Sequence, residues 1–289
     1  MTDRADPSTL LSRLQREFPK AKKQTLKEMV QQRRVLVNDR PAGKLSQPVG
    51  VRDAVRVLSR GAVAPPPRAP SLHPLKLVHE DDDLLVIDKP AGLLTSTVPS
   101  EKRPTALAIV RRYVEAKHPR APRTQVRVGL IHRLDKEASG LLVFSKSPEA
   151  YESLKTQFFR HTVERVYQAT VEGTPKPAVG RMNTRLVEHA DGTVHSTKAE
   201  EKGQRAITEY EVIRSADGRS DVRVRLQTGR KHQIRVHFSE RGWPIVGDTV
   251  YGKKRSRKLP PVKLMLRAVR LSLEHPRTGE RMTFDAAVS

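Results

Sequence analysis

Apolar side chains at Leu10, Leu11, Leu14 and Phe18 recur at helical spacing, with Ser8 or Asp6 placed to cap the first turn and Pro19 just beyond the last. This pattern predicts an amphipathic helix over residues 8–18. A second helix is predicted from Lys22, turning Leu26, Met29 and Val30 inward. RRVLVN then reads as a short strand with Val35 and Val37 on one face, NDRPAG as a turn and AVRVL as another strand. GAVAPPPRAP holds four prolines in ten residues. Each fixes its own backbone and restricts the residue before it, so neither a helix nor a central strand can run through the segment. The expected organisation is a small module at 1–60, a proline-rich linker at 61–74 and a larger domain at 75–289.

Beyond the linker, strand-like runs at LLVID, LLVFS, RVYQATV, DVRVRLQ and KLMLRAVRLSL are interrupted by helical patterns at TALAIVRRYVEA and PEAYESLKTQFFR. Strand and helix do not alternate regularly, which excludes a doubly wound parallel sheet. The pattern predicts an α+β domain built on a largely antiparallel mixed sheet, preceded by a small α/β module. No internal repeat is present.

Charge adds a partner to this picture. The 289 residues carry a formal net charge of +23, and residues 1–60 alone hold 14 Lys and Arg against 6 Asp and Glu. Such an imbalance points to a polyanion, because cationic side chains release the counterions condensed on nucleic acid phosphates. Acidic membranes are a weaker fit. No run of about 18 apolar residues exists, and the apolar stretch near the N-terminus is too short for a secretory signal, so the expectation is a soluble cytoplasmic protein without membrane association. A strongly like-charged surface also favours a monomer. Cysteine is absent, which excludes disulfides, thiolate metal sites and a cysteine nucleophile.

The segment richest in chemistry is GLIHRLDKEASGLLVFSKS, in which an apolar run ends at His132, Arg133, Leu134 and Asp135 before a polar turn with Gly140 opens the next apolar run. A carboxylate between two such runs sits partly dehydrated at the rim of a sheet and needs a nearby cation to stay ionised. RLQTGRKHQIRVHFSERG supplies Arg230, Lys231 and Arg235 beside His232 and His237. Taken alone, an Arg-Leu-Asp triplet is more often a structural ion pair than a catalytic group, Tyr167 can equally pack in a core, and Trp243 reads as a packing residue. The HxxD and HxxxxH spacings match no common metal-ligand pattern, and no GxGxxG or P-loop fingerprint occurs, so no metal and no cofactor are expected.

Together with LLVIDKPAGLLT and GWPIVGDTVYG, these two segments resemble the RluA-type pseudouridine synthase family from residue 75 onward, and the first 60 residues resemble the RNA-binding domain of ribosomal small-subunit protein four. The resemblance implies an isomerase that turns uridine into pseudouridine in structured RNA, ribosomal in preference to transfer RNA. It places the catalytic aspartate at Asp135, a tyrosine against the target base at Tyr167, and a basic partner for Asp135 at Arg230. Arg133 would push the target nucleotide from its stack, or equally contact a phosphate, and His132, Lys231 and Arg235 would assist binding. Two positions depart from the family pattern: Ala138, where threonine is usual, and Arg267, where histidine is frequent. Asp135 would either attack the ribose or take a proton from it. The competing readings are a non-catalytic RNA-binding or ribosome-assembly protein on the same fold and, more remotely, a nucleoside hydrolase.

Overall fold

The computed structural model describes residues 8–38, 40–51, 53–59, 73–97, 103–117, 127–199, 201–252 and 262–286. The chain divides into two compact units, Met1–Ser71 and Leu72–Ser289. The linker expected at 61–74 lies, as far as residue 72, outside the described residues, as does the alternative cap Asp6.

In the first unit, β1 (Ser8–Thr9) pairs with β4 (Pro48–Val49), and β2 (Val35–Val37) lies between β3 (Arg40–Pro41) and β5 (Val55–Val57). The helices are α1 (Leu10–Glu17) and α2 (Lys23–Gln31). Thr9, not Ser8 or Asp6, caps α1: its side chain accepts from the Ser12 N–H at 3.3 Å. Leu10, Leu14, Leu26, Val30, Val35, Ala42 and Val49 form the core of this unit, with Val37 packed against it.

Among the described residues, the second unit is one large sheet with three helices. Its strands are β6 (Lys76–Glu80), β7 (Leu84–Lys89), β8 (Gly129–Leu130), β9 (Ser139–Ser145), β10 (Glu164–Glu172), β11 (Val179–Glu188), β12 (Val194–Thr197), β13 (Gln204–Ala216), β14 (Arg219–Leu226), β15 (Leu266–Glu274) and β16 (Arg281–Asp285). They run in the order β12-β11-β13-β14-β10-β15-β9-β7-β6, with β8 on β9 and β16 on β15. The helices are α3 (Ala106–Lys117), α4 (Pro148–Phe159) and α5 (Gln233–Glu240). The antiparallel sheet of an α+β domain is thus found. Its exception among the described strands is the parallel seam of β9 and β15, where Ser139 and Gly140 face Arg267 and Ala268.

The apolar runs of β7 and β9 follow from their central place. Leu85, Ile87, Leu142 and Phe144 enter one core with α3 and α5 residues, whereas Leu84, Val86, Leu141 and Val143 enter a second with Leu154 of α4 and Phe284 of β16. A strand covered on both faces has no polar side, while β14 buries Val222 and Val224 and exposes Arg223 and Arg225, giving strict alternation. Gly140, at φ +111°, opens β9, and a Cβ there would lie 2.2 Å from the Ala268 carbonyl oxygen. Only glycine lets the seam close directly behind the HRLD segment.

Candidate active site

Residues 131–138 link β8 to β9, and buried neighbours hold them in place. The Leu134 N–H donates to Thr95 Oγ1 at 3.2 Å, and that hydroxyl donates to the Leu134 carbonyl at 2.8 Å. His132 stacks on Phe158 with ring centroids 4.7 Å apart, and its Nε2 accepts from the Val143 N–H at 3.2 Å. Burial, then the charge of Arg165, push His132 down to about 3, so the ring is neutral. The neutral ring thus has a fixed place in the loop, in the wall of a cavity. With Leu134 buried and His132 locked, Arg133 is left exposed and Asp135 faces a cavity with 17% of its side chain accessible.

Lys89, at the end of β7, is fully buried and donates to the carbonyls of Pro90, Leu93 and Lys136 at 3.0, 2.8 and 3.2 Å. Burial pulls its ammonium down to about 8, against the opposing charges of Asp135 and Glu137. An ammonium on the Lys136 carbonyl fixes the residue that follows Asp135.

The cation paired with Asp135 is Arg235, at 3.3 Å from Nη1 to Oδ2, and not Arg230. Arg235 is 2% exposed, and its opposite edge donates from Nε and Nη2 to the two carboxylate oxygens of Asp248, both at 2.8 Å. Its guanidinium carbon lies 5.2 Å from the centre of the Tyr251 ring. Burial disfavours the charge on Arg235, but Asp248 and Asp135 outweigh burial and raise its pKa. Burial likewise disfavours the Asp248 anion, and the Arg235 hydrogen bonds outweigh it, holding its carboxyl below the usual range. The helix decides between the arginines. Arg235 lies inside α5, whose residues from Gln233 to Phe238 are buried, whereas Arg230 precedes the helix, is exposed, and donates from Nε to the Arg205 carbonyl at 3.1 Å. Gln233 ties down the intervening turn by accepting from the Arg230 N–H and the Thr228 hydroxyl.

Tyr167 stands on β10 where the pairing with β15 shifts: Val166 opposes Arg270 but Tyr167 opposes Ala268, leaving Val269 as an extra residue. Tyr167 is 7% exposed and belongs to the core while also lining the cavity. Burial raises its pKa, so the hydroxyl is neutral. The cavity, about 520 Å³, brings together the seven residues to which the resemblance gave a role: Asp135, Tyr167, Arg230, Arg133, His132, Lys231 and Arg235. Lys231 is tied to Glu188 at 2.5 Å, and His232 Nδ1 lies 2.8 Å from the Tyr251 hydroxyl. The departures from the family pattern are accommodated. Ala138 is buried, and Arg267 bridges the seam from Asp88 at 2.7 Å to Ser139 Oγ at 3.5 Å.

Sequence reasoning missed Asp248, Lys89 and Arg165. Asp248 and Lys89 stand in the quoted segments GWPIVGDTVYG and LLVIDKPAGLLT, where a lone charge amid apolar residues was the available signal. Among the described residues, the group with metal-ligand proximity is Asp81, Asp83 and His275, none of which lines the cavity. His275 Nδ1 accepts from the backbone N–H groups of Arg277 and Thr278, which assigns its proton to Nε2, and Arg277 forks onto Asp83. That tautomer and ion pair favour a structural clasp.

His237, on α5, is 2% exposed between the hydroxyls of Thr208 and Thr184, and burial lowers it from 6.5 to about 4. Below pH 6.5 the unfolded chain takes up a proton that the folded chain refuses, so stability falls as pH drops toward 4. Comparing denaturant unfolding at pH 7 and pH 4, the His237→Gln variant should lose about 3 kcal/mol less than the unaltered protein. Equal losses would show that this ring does not titrate so low.

The sequence matches the RNA pseudouridylate synthase family over residues 83–240. Ribosomal large subunit pseudouridine synthase D of Neisseria meningitidis is 34% identical over 269 residues, covering 88% of this chain and 68% of that one. The dual-specificity RNA pseudouridine synthase RluA of Escherichia coli is 34% identical over 222 residues, covering 76% of this chain and 95% of that protein. The solved structure of human RNA pseudouridylate synthase domain containing 4 superposes with a TM-score of 0.61 at 24% identity, over 74% of this chain and 88% of that one, a likeness of fold. No described helix is long and apolar enough to cross a membrane. On the extent of these matches, the chain belongs to the RNA pseudouridylate synthase family.

Proposed function

We propose that the protein forms pseudouridine in ribosomal RNA with Asp135 as its catalytic carboxylate. The observation that carries this reading is the setting of Asp135: a cavity-facing carboxylate fixed by buried neighbours and paired with a guanidinium whose other edge is locked on Asp248. The ribosomal substrate is supported by the names of the relatives from Neisseria meningitidis and Pseudomonas aeruginosa, both ribosomal large subunit pseudouridine synthase D.

The reaction breaks the bond from ribose C1′ to uracil N1, with the electron pair leaving on the base. The sugar is then held either as an ester of Asp135 at C1′ or, once Asp135 has taken the C2′ proton, as an unsaturated ribose. Uracil turns and C5 bonds to C1′, as the ester bond breaks and frees the Asp135 carboxylate or as Asp135 returns its proton to C2′; C5 then loses its proton and N1 gains one. Reactant and product are isomers, so the scheme calls for no cofactor, metal or group donor. Tyr167 forms the surface against the base, and Arg133 and Arg230, exposed at the rim, meet phosphates or displace the nucleotide. The first unit, which among the described residues has two helices beside two small sheets and carries a dense positive charge, serves as an RNA-binding domain like that of ribosomal small-subunit protein four. The protein acts as a cytoplasmic monomer.

Phe159 lines the cavity and is 82% exposed, flanked by Arg160 and His161. An exposed aromatic beside a cation, Arg160, suits an unstacked RNA base. Phe159→Ala should raise KM for RNA about 10-fold, following a stacking contribution of ~1–3 kcal/mol, and leave kcat within twofold. An unchanged KM would remove Phe159 from the RNA surface.

The function is tested by incubating unmodified ribosomal and transfer RNA with the purified protein and mapping pseudouridine chemically. New pseudouridine in ribosomal RNA is expected. RNA binding with no new pseudouridine in either RNA would favour a non-catalytic binding protein instead.

A further inference from the structure

Arg165 is a buried cation without a counter-ion. It is 8% exposed, lines the cavity beside Tyr167, and among the described residues has no carboxylate within ion-pairing distance. Its hydrogen bonds are two long ones, from Nη2 to the carbonyls of Leu226 at 3.4 Å and Gln227 at 3.3 Å. Nε is buried with no partner, and Nη1 has none among the described residues. A buried guanidinium left so incompletely satisfied is costly. The guanidinium carbon lies 5.5 Å from the centre of the Phe158 ring, and Nη1 passes over Gly229, where a Cβ would lie 2.4 Å away. Gly229 also lines the cavity, so its missing side chain leaves Nη1 open to whatever enters.

Depth identifies that ligand. Arg133 and Arg230 are exposed at the mouth, where they can meet the phosphates of an RNA backbone. The group that reaches the level of a residue as buried as Arg165 is the extruded base. Around Arg165 stand Tyr167, neutral because burial raises its pKa, His132 and His161, both lowered chiefly by burial and further by the Arg165 charge, and Arg230. This wall is positive or neutral, while the carboxylate that acts on the sugar, Asp135, also bears on the Tyr167 hydroxyl. When C1′–N1 breaks, the electron pair stays on uracil and spreads onto its carbonyl oxygens, so negative charge develops on the base.

We propose that Arg165 is a further catalytic residue, whose Nη1 edge stabilises the negative charge on the uracil oxygens while the base is detached from the ribose. The assignment rests on the reading of Asp135 as the group acting at the sugar. Protons and electrons balance without addition: the pair that leaves with N1 returns from C5 when the new C–C bond forms, and Arg165 stays protonated throughout. Donors aimed at developing charge typically contribute about 10²- to 10³-fold to kcat.

The test uses the full chain and an RNA in which the unaltered protein forms pseudouridine, so failure of the underlying function is seen in that protein itself. Single-turnover rates at saturating RNA, the Kd for that RNA and its salt dependence are measured for Arg165→Gln and Arg165→Lys. Arg165→Gln should lower the rate about 10²-fold or more, keep Kd within twofold with an unchanged salt slope, and regain part of the rate with added guanidinium ion. A weaker Kd with a salt slope reduced by about one, at an unchanged saturating rate, would make Arg165 a phosphate contact and overturn the assignment. If Arg165→Gln fails to fold, Arg165→Lys decides: a point charge lacks the fork that spans the carbonyls and the base, so its rate should fall about 10-fold or more at unchanged Kd. A folded Arg165→Lys with the full rate overturns the proposal.

Discussion

Asp135→Asn is expected to abolish pseudouridine formation, lowering the single-turnover rate by about 10⁴-fold or more, while the protein remains folded and binds RNA as before. The substitution removes the proposed nucleophile or base but almost no volume. Arg235 keeps both of its hydrogen bonds to Asp248 at 2.8 Å, so the Asp135 link at 3.3 Å is the weaker part of the cluster and its loss leaves no buried charge stranded. The melting temperature should therefore change by no more than a few degrees. Chemical mapping of pseudouridine beside a thermal melt checks both halves. A variant that stays folded and modifies RNA at more than a tenth of the normal rate would move the chemistry to another group.

Arg235→Met is expected to damage stability and activity together. It strands Asp248, whose side chain is 1% exposed, as a buried anion, and it removes the contact with the Tyr251 ring. Breaking a buried pair from one side costs about 3–5 kcal/mol, which for a domain of this size is a fall on the order of 10 °C in Tm. Arg235→Lys separates the two effects. One ammonium cannot reproduce the fork on Asp248 and also reach Asp135, so much of the stability should return while kcat stays about 10²-fold down. Equal activity in the lysine variant would mean that charge alone, without the two-sided geometry, holds Asp135.

These two residues also mark where sequence reading stops. HRLD, ERVYQA and TGRKHQIR meet at one cavity, because the family resemblance rests on segments whose order survives in a one-dimensional string. The choice between Arg230 and Arg235 did not survive there. Three cations fall within six residues, and only the start of α5 after His232, at φ +54°, turns one inward and leaves another outside. The packing of His132 was hidden for a related reason: its partners, Phe158 and the Val143 N–H, come from two other elements. In the fold, the doubly buried β7 and β9 were plain as apolar runs. β11 and β13 were not, since much of VGRMNTRLVE and QRAITEYEVIRSA faces outward and carries polar residues.

The parallel seam of β9 and β15 bears on when the enzyme becomes active as its chain is made. The loop that carries Asp135 is backed at Gly140 by Ala268, and Arg267 reaches Ser139 across 128 residues of sequence. Contacts of such separation form late, after the intervening chain has been ordered. A nascent chain still lacking β15 has the first unit and the HRLD segment, yet not the support that sets the carboxylate in place. Until β15 is made, the loop that carries Asp135 thus stands without its backing at Ser139 and Gly140.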